Sequence, residues 1–318
     1  MRTYLYPFLI IIAAMLAMLF PSVFITIGDF QLKRLIVPLL QIIMFGMGTT
    51  MGLKDFEGVV KAPRSVFIGL ICQFSIMPVV GYTLAVLFQF PAEVAAGVIL
   101  VGCSPSGLAS NVMSFIAKAN VALSLTITAV ATLVAPFITP LLMKGLAGTF
   151  VAVDVVGMML DILNMIILPI GLGLVVNFLF RNYLEWIKRY MPLVSMAGIT
   201  LIICIITAAG RESLLTIGLA LILCTIIHNL LGYTLGYNLA RLFRLSEQDC
   251  RTVALEVGLQ NAGLASGLAL QMGKIATVGL APALFGPIMN ITGSLLASFW
   301  GKSKDKRVLN KVEPIRED

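Results

Sequence analysis

One acid stands alone in the apolar interior of this sequence. Glu256 interrupts a hydrophobic run, and Gln260 and Asn261 follow it within five positions. Oxygen-bearing side chains recur in other apolar stretches: Gln73, Ser104, Ser110, Asn111, Ser124, Thr128 and Asn290. Carboxylate, amide, hydroxyl and backbone carbonyl oxygens are the ligands that hard cations take. One carboxylate among many neutral oxygens suits a monovalent ion such as sodium, because a divalent ion usually brings more acids. An acid at the centre of a membrane helix costs about 2.5–3.5 kcal/mol on insertion scales, so Glu256 needs a partner. The hydroxyls also have a simpler use, letting helices approach and hydrogen-bond across one another. Asp161, one turn from Asn164, reads as a solvated group near the outer boundary, or as a proton or cation group if it faces inward. His228, followed by Asn229, reads as a packing group among apolar neighbours.

The elements that must position these residues are two interrupted helices. Val257 to Ser266 reads VGLQNAGLAS, and Val101 to Ser110 reads VGCSPSGLAS, 156 positions earlier. Both have the form V-G-x-x-x-x-G-L-A-S. Two glycines in each copy, and Pro105 in the first, break a helix. A break within hydrocarbon strips backbone groups of their partners, so it must line a cavity or pack inside protein. Paired breaks at matching positions of two halves point to a transporter's binding site. Two further matches keep the register: Gly81 to Leu84 with Gly232 to Leu235, and Pro38-Leu39 with Pro192-Leu193. The acid itself is not repeated, since Leu100 stands where Glu256 does.

Composition places the whole chain in a membrane. Hydrophobic residues make up 59% and charged residues 12% of 318 positions, against about 45–50% and about 25% in soluble domains. Ten spans are predicted, at roughly 4–23, 35–53, 65–88, 92–117, 121–147, 153–180, 191–210, 214–240, 252–273 and 277–300. Each is long enough to cross about 30 Å of hydrocarbon. Five spans per repeat is an odd number, so the second half enters from the opposite side. The fold class expected is an all-α membrane protein of two inverted five-helix repeats, about 1–150 and 151–300, in one transmembrane domain with a basic tail at 301–318. Phe20 to Val23 offers no small-x-small cleavage site, so the first span is read as retained. With both termini inside, 17 of the 22 lysines and arginines fall on the cytoplasmic side, as the positive-inside rule requires. The net charge of +7 therefore reflects topology and not a nucleic-acid partner. The expected surroundings are membrane lipid.

No enzyme constellation is present: Ser, His and acid are not grouped, and there is no Gly-rich phosphate loop. The five cysteines lack C-x-x-C spacing, so neither a disulfide nor a metal site of the zinc type is expected. Gly46-Met47-Gly48 reads as close helix packing.

With these residues in view, the sequence resembles the bile acid:sodium symporter family, in a bacterial form. The likeness rests on Gly46-Met47-Gly48, Gln73, Val101 to Asn111, Glu256-Val257-Gly258-Leu259-Gln260-Asn261 and Asn290 to Leu296, and it extends to about Trp300. The resemblance implies a six-helix core domain and a four-helix panel domain, with spans 4 and 9 crossing. It implies two sodium ions behind that crossing. One would be held by Ser110, Asn111, Ser124, Thr128 and Glu256, and the other by Gln73, Glu256, Gln260 and the carbonyls of Val257 and Leu259. Substrate would lie near Asn261 and Asn290. Where some relatives have His, Gly and Thr, this chain has Met289, Ser106 and Leu108.

The function expected is sodium-coupled uptake of an amphipathic organic anion, bile-acid-like or a small carboxylate such as pantoate, across the bacterial inner membrane by alternating access. One rival is a proton-coupled or arsenite-type exporter using Cys103 beside the break. A membrane enzyme is the rival from another class.

Overall fold

Hydrocarbon offers the backbone no hydrogen-bond partners, so a chain this apolar satisfies its own amides by coiling into helices. The computed structural model describes residues 2–52, 55, 57–180 and 185–302. In order these form α1 Arg2–Leu19, α2 Pro21–Ile25, α3 Ile36–Thr50, α4 Glu57–Lys61, α5 Pro63–Leu87, α6 Ala92–Cys103, α7 Ala109–Ile116, α8 Val121–Ala147, α9 Val155–Ile162, α10 Leu168–Phe180, α11 Glu185–Ala209, α12 Arg211–Leu242, α13 Glu247–Gly258, α14 Ala262–Gln271 and α15 Leu280–Lys302. The tail beyond Lys302 lies outside the described residues.

Six stretches among the described residues are long and apolar enough to cross a membrane: Leu32–Thr50, Pro63–Leu87, Val121–Ala147, Val155–Phe180, Arg211–Leu242 and Leu280–Lys302. Three shorter apolar stretches are Leu9–Leu19, Ala92–Cys103 and Leu193–Ala209. The two spans predicted to be interrupted are divided as expected. The predicted 92–117 is α6 plus α7, and 252–273 is α13 plus α14. The fold class holds as all-α, with one small addition. Thr26–Ile27 pairs with Phe30–Gln31 in a hairpin, whose two-residue turn places Gly28 at a φ of 57°, a conformation glycine adopts without strain.

Polar residues mark the ends. Asn120 Oδ1 accepts from the Leu123 amide at 3.1 Å, Asp154 Oδ1 from Gly157 at 3.0 Å and Ser246 Oγ from Asp249 at 3.1 Å. Each satisfies an amide that the first helical turn leaves free. Between α9 and α10 the helix widens to a π-turn, Leu163–Ile167. Pro169 there cannot donate to Met165, which disturbs the regular ladder.

The helices form two groups that also touch each other, α9 packing on α8 and α15 on α1 and α11. α3 packs on α10 and α11, and α11 on α1; α5, α6, α8, α12, α13 and α15 form the other set. α14 touches both, meeting α3 and α9 as well as α15 and α6. Gly48 permits the close packing expected of it: a Cβ there would come within 2.2 Å of the Ile170 carbonyl oxygen.

Candidate functional site

The two breaks lie against each other. Proline disfavours a helical residue before it, and Ser104 is extended with ψ 153°, ending α6 ahead of Pro105. Leu259 is extended too, with ψ 90°, ending α13. The extended pieces pair as an antiparallel bridge, Ser106 with Gln260. The Gly107 amide donates to the Leu259 carbonyl at 2.7 Å, and the Asn261 amide to the Pro105 carbonyl at 2.8 Å. Backbone groups freed by one break are thereby satisfied by the other, as burial demands.

Other freed carbonyls are met by side chains. Gln73 Nε2 donates to the Ser104 carbonyl at 3.0 Å, Thr139 Oγ1 to Cys103 at 2.7 Å and Asn229 Nδ2 to Gly258 at 2.7 Å. Thr139 and Asn229 were not singled out from the sequence as functional. The available signal was a neutral polar group deep in an apolar helix.

Glu256 is completely buried. Ser124 Oγ donates to its Oε1 at 2.5 Å, and Thr128 Oγ1 to its Oε2 at 2.9 Å. Ser124 Oγ is also 2.9 Å from Asn111 Oδ1, while Thr128 Oγ1 is 3.4 Å from that atom and 3.3 Å from Ser110 Oγ. Five of the predicted residues, from α7, α8 and α13, therefore share one polar nest. None of the ion pairs among the described residues involves Glu256. Among the described residues its hydrogen-bond partners are neutral hydroxyls.

A second group adjoins it. Gln73 Nε2 donates to Gln260 Oε1 at 2.9 Å, and Gln260 Nε2 to the Val257 carbonyl at 2.6 Å. Gln73 Oε1 is buried with no hydrogen-bond partner, a free acceptor of the kind a cation takes up. The Leu259 carbonyl, by contrast, is engaged by Gly107.

Against the crossing lies a cavity of about 170 Å³. Leu40, Met44, Met47 and Ile203 give it apolar walls, and Ser106, Gln260, Asn261 and Asn290 its polar groups. Among the described residues, no charged side chain lines it. Asn261 caps α14, accepting from the Leu264 amide at 3.0 Å, so that helix opens at the cavity with its amide end. Asn290 donates to the Gly286 carbonyl at 2.8 Å.

The other singled-out groups fall elsewhere. His228 is buried, its Nε2 2.9 Å from the Met77 carbonyl oxygen and its ring edge-on to Phe285. Asp161 is half-buried and lines a separate cavity with Asp154, Gln271 and Lys274. All five cysteines are buried and free, and Cys103 does not line the cavity at the crossing.

A bundle of apolar helices with two interrupted ones meeting over a buried carboxylate defines a multi-pass membrane protein of the transporter class. The chain belongs to the Sodium Bile acid symporter family, whose profile matches residues 37–217. It is 41% identical over 299 residues to the uncharacterized sodium-dependent transporter YocS of Bacillus subtilis (strain 168), covering 94% of this chain and 91% of that protein. It is 32% identical over 269 residues to the probable chloroplastic sodium/metabolite cotransporter BASS1 of Arabidopsis thaliana, covering 85% of this chain and 67% of that one. The rice protein of the same name is 33% identical over 257 residues, covering 81% of this chain and 63% of its own.

Proposed function

We propose that the protein is a sodium-coupled symporter that takes up an amphipathic organic anion, bile-acid-like or a small carboxylate such as pantoate. The observation that carries this reading is a buried carboxylate, Glu256, met by neutral hydroxyls, together with a cavity of mixed apolar and polar lining at the crossing. One sodium ion takes Ser110, Asn111, Ser124, Thr128 and Glu256. The other takes Gln73, Glu256, Gln260 and the carbonyls of Val257 and Leu259. The unpartnered oxygen of Gln73 supports the second. Substrate sits against Asn261 and Asn290, and the amide end of α14 offsets its negative charge in a cavity that no basic residue among the described ones lines.

In this reading ten spans form two inverted repeats, with α6–α7 and α13–α14 as the crossing pair. The second packed set, with the crossing helices, is the core; α1, α3, α9–α10 and α11 are the panel. One moves against the other in alternating access. Two sodium ions with a monoanion carry one net positive charge. An inside-negative potential then contributes about 2.3 kcal/mol per 100 mV, and each tenfold sodium gradient about 1.4 kcal/mol per ion. Both favour uptake.

The deciding experiment is uptake of taurocholate and of pantoate into proteoliposomes, with sodium outside and with choline in its place. Uptake of neither anion, or equal uptake in choline, overturns the proposal. Within it, Gln73→Ala and Thr128→Ala should each raise the sodium concentration for half-maximal uptake by roughly tenfold, since a hydrogen-bond-strength ligand to a charged group contributes about 1.5–3 kcal/mol. An unchanged sodium dependence removes that residue from its site.

In this reading both termini lie in the cytoplasm. Because the native cysteines are buried, a single cysteine introduced at Ser303 gives a clean probe. An impermeant maleimide should label it only after the cells are opened, and labelling of intact cells would reverse the topology.

A further inference from the structure

We infer that Asn229, held by Thr292, is a positioning residue for the second break, and that it sets sodium affinity without touching the ion or the substrate. The inference rests on the sodium sites proposed above. Gly258 is the last residue of α13, and the amide that would continue the ladder, that of Ala262, turns instead to the Gln260 carbonyl at 3.0 Å. The Gly258 carbonyl is thus released in the protein interior, where an unpaired acceptor is costly. Asn229 Nδ2 takes it at 2.7 Å. Asn229 is itself fully buried, and its Oδ1 accepts from Thr292 Oγ1 at 2.5 Å. Thr292 Oγ1 lies 3.4 Å from the Tyr233 hydroxyl, which donates to the Met289 carbonyl at 3.2 Å.

The same contact region leaves no slack for the backbone. A Cβ on Gly258 would fall within 2.1 Å of the Tyr233 ring, so the ring presses the break from one side while Asn229 holds its carbonyl. The residues flanking Gly258 are Val257 and Leu259, whose carbonyls are assigned to sodium, and Glu256 is two positions before it. Released from Asn229, the Gly258 carbonyl lets its one peptide plane, between residues 258 and 259, rotate, and the adjoining planes that carry the Val257 and Leu259 carbonyls shift with it. The hydrogen-bonded series from Asn229 reaches Met289, a wall residue of the cavity, so it joins the cavity to the end of α13.

The test uses purified full-length protein and sodium chloride alone, with choline chloride holding ionic strength constant, and reads sodium-dependent thermal stabilisation. Asn229→Asp keeps the shape and removes the donor; Thr292→Val removes the hydroxyl; Thr292→Ser restores it. Asn229→Asp and Thr292→Val should raise the sodium concentration at half-effect about tenfold or more, and Thr292→Ser should return it to within about twofold of the parent. A purely structural role would lower the melting temperature in choline and leave the sodium midpoint where it was; that result overturns the inference. If Asn229→Asp does not fold, the Thr292→Val and Thr292→Ser pair decides alone. Gln73→Ala is measured beside them. A shifted midpoint in Gln73→Ala with wild-type midpoints in Thr292→Val refutes the positioning role, whereas an unshifted midpoint in Gln73→Ala refutes the sodium site beneath it.

Discussion

Glu256→Gln should abolish sodium-dependent uptake while the protein still inserts and folds. The substitution keeps the side chain's shape and removes its charge. A unit charge at about 4 Å contributes about 4 kcal/mol at an effective dielectric of 20, which is nearly a thousandfold in affinity for one ion. The proposal makes Glu256 common to both ions, so both are weakened together. Folding should not suffer. A glutamine amide offers an oxygen and a donor to the Ser124 and Thr128 hydroxyls that now meet the carboxylate. It also relieves the sodium-free protein of a buried charge with no cationic partner, and removing such a charge is favourable. Melting temperature in choline should therefore hold or rise, while the sodium-induced increase disappears. Sodium-dependent uptake that persists in Glu256→Gln would end the assignment of the carboxylate to either ion.

The second large effect is expected at the crossing. A Cβ at Gly107 would stand 2.7 Å from the Gln260 carbonyl oxygen and 3.2 Å from its carbon. Those are backbone atoms of the facing strand, so they yield only if the two extended pieces move apart. Separation stretches the Gly107 amide from the Leu259 carbonyl and displaces Gln260 from Gln73. Forcing extra volume into a packed interior costs about 1–3 kcal/mol. Gly107→Ala should accordingly lower sodium-dependent uptake by ten- to a hundredfold at matched protein levels, and lower the melting temperature as well. Gly145→Ala is the control, since a Cβ there meets nothing within 4 Å, and it should transport normally. Normal uptake by Gly107→Ala would mean that the close approach at the crossing is not needed for transport.

What the amino-acid order determined by itself follows from the intolerance of hydrocarbon for free backbone groups and lone charges. The apolar stretches, the two interruptions at Val101–Ser110 and Val257–Ser266, and the singular position of Glu256 are all local features, so each is legible along the chain. The packing use of Gly46 to Gly48 was legible for the same reason. Tertiary structure decided the partners. Ser124 and Glu256 are 132 positions apart, Gln73 and Gln260 are 187 apart, and no periodicity relates them. Their meeting depends on α5, α8 and α13 packing together behind the crossing. The recipients of the carbonyls freed by the breaks were equally hidden. The sequence says that such carbonyls must be paired, but only the packing of α12 against α13 and the hydrogen bond from α8 to the end of α6 name Asn229 and Thr139. What occupies each interruption was also a tertiary matter. Glycine and proline mark where each helix breaks, but only the packed structure shows that the extended residues of one break bond to the other instead of to their own helix.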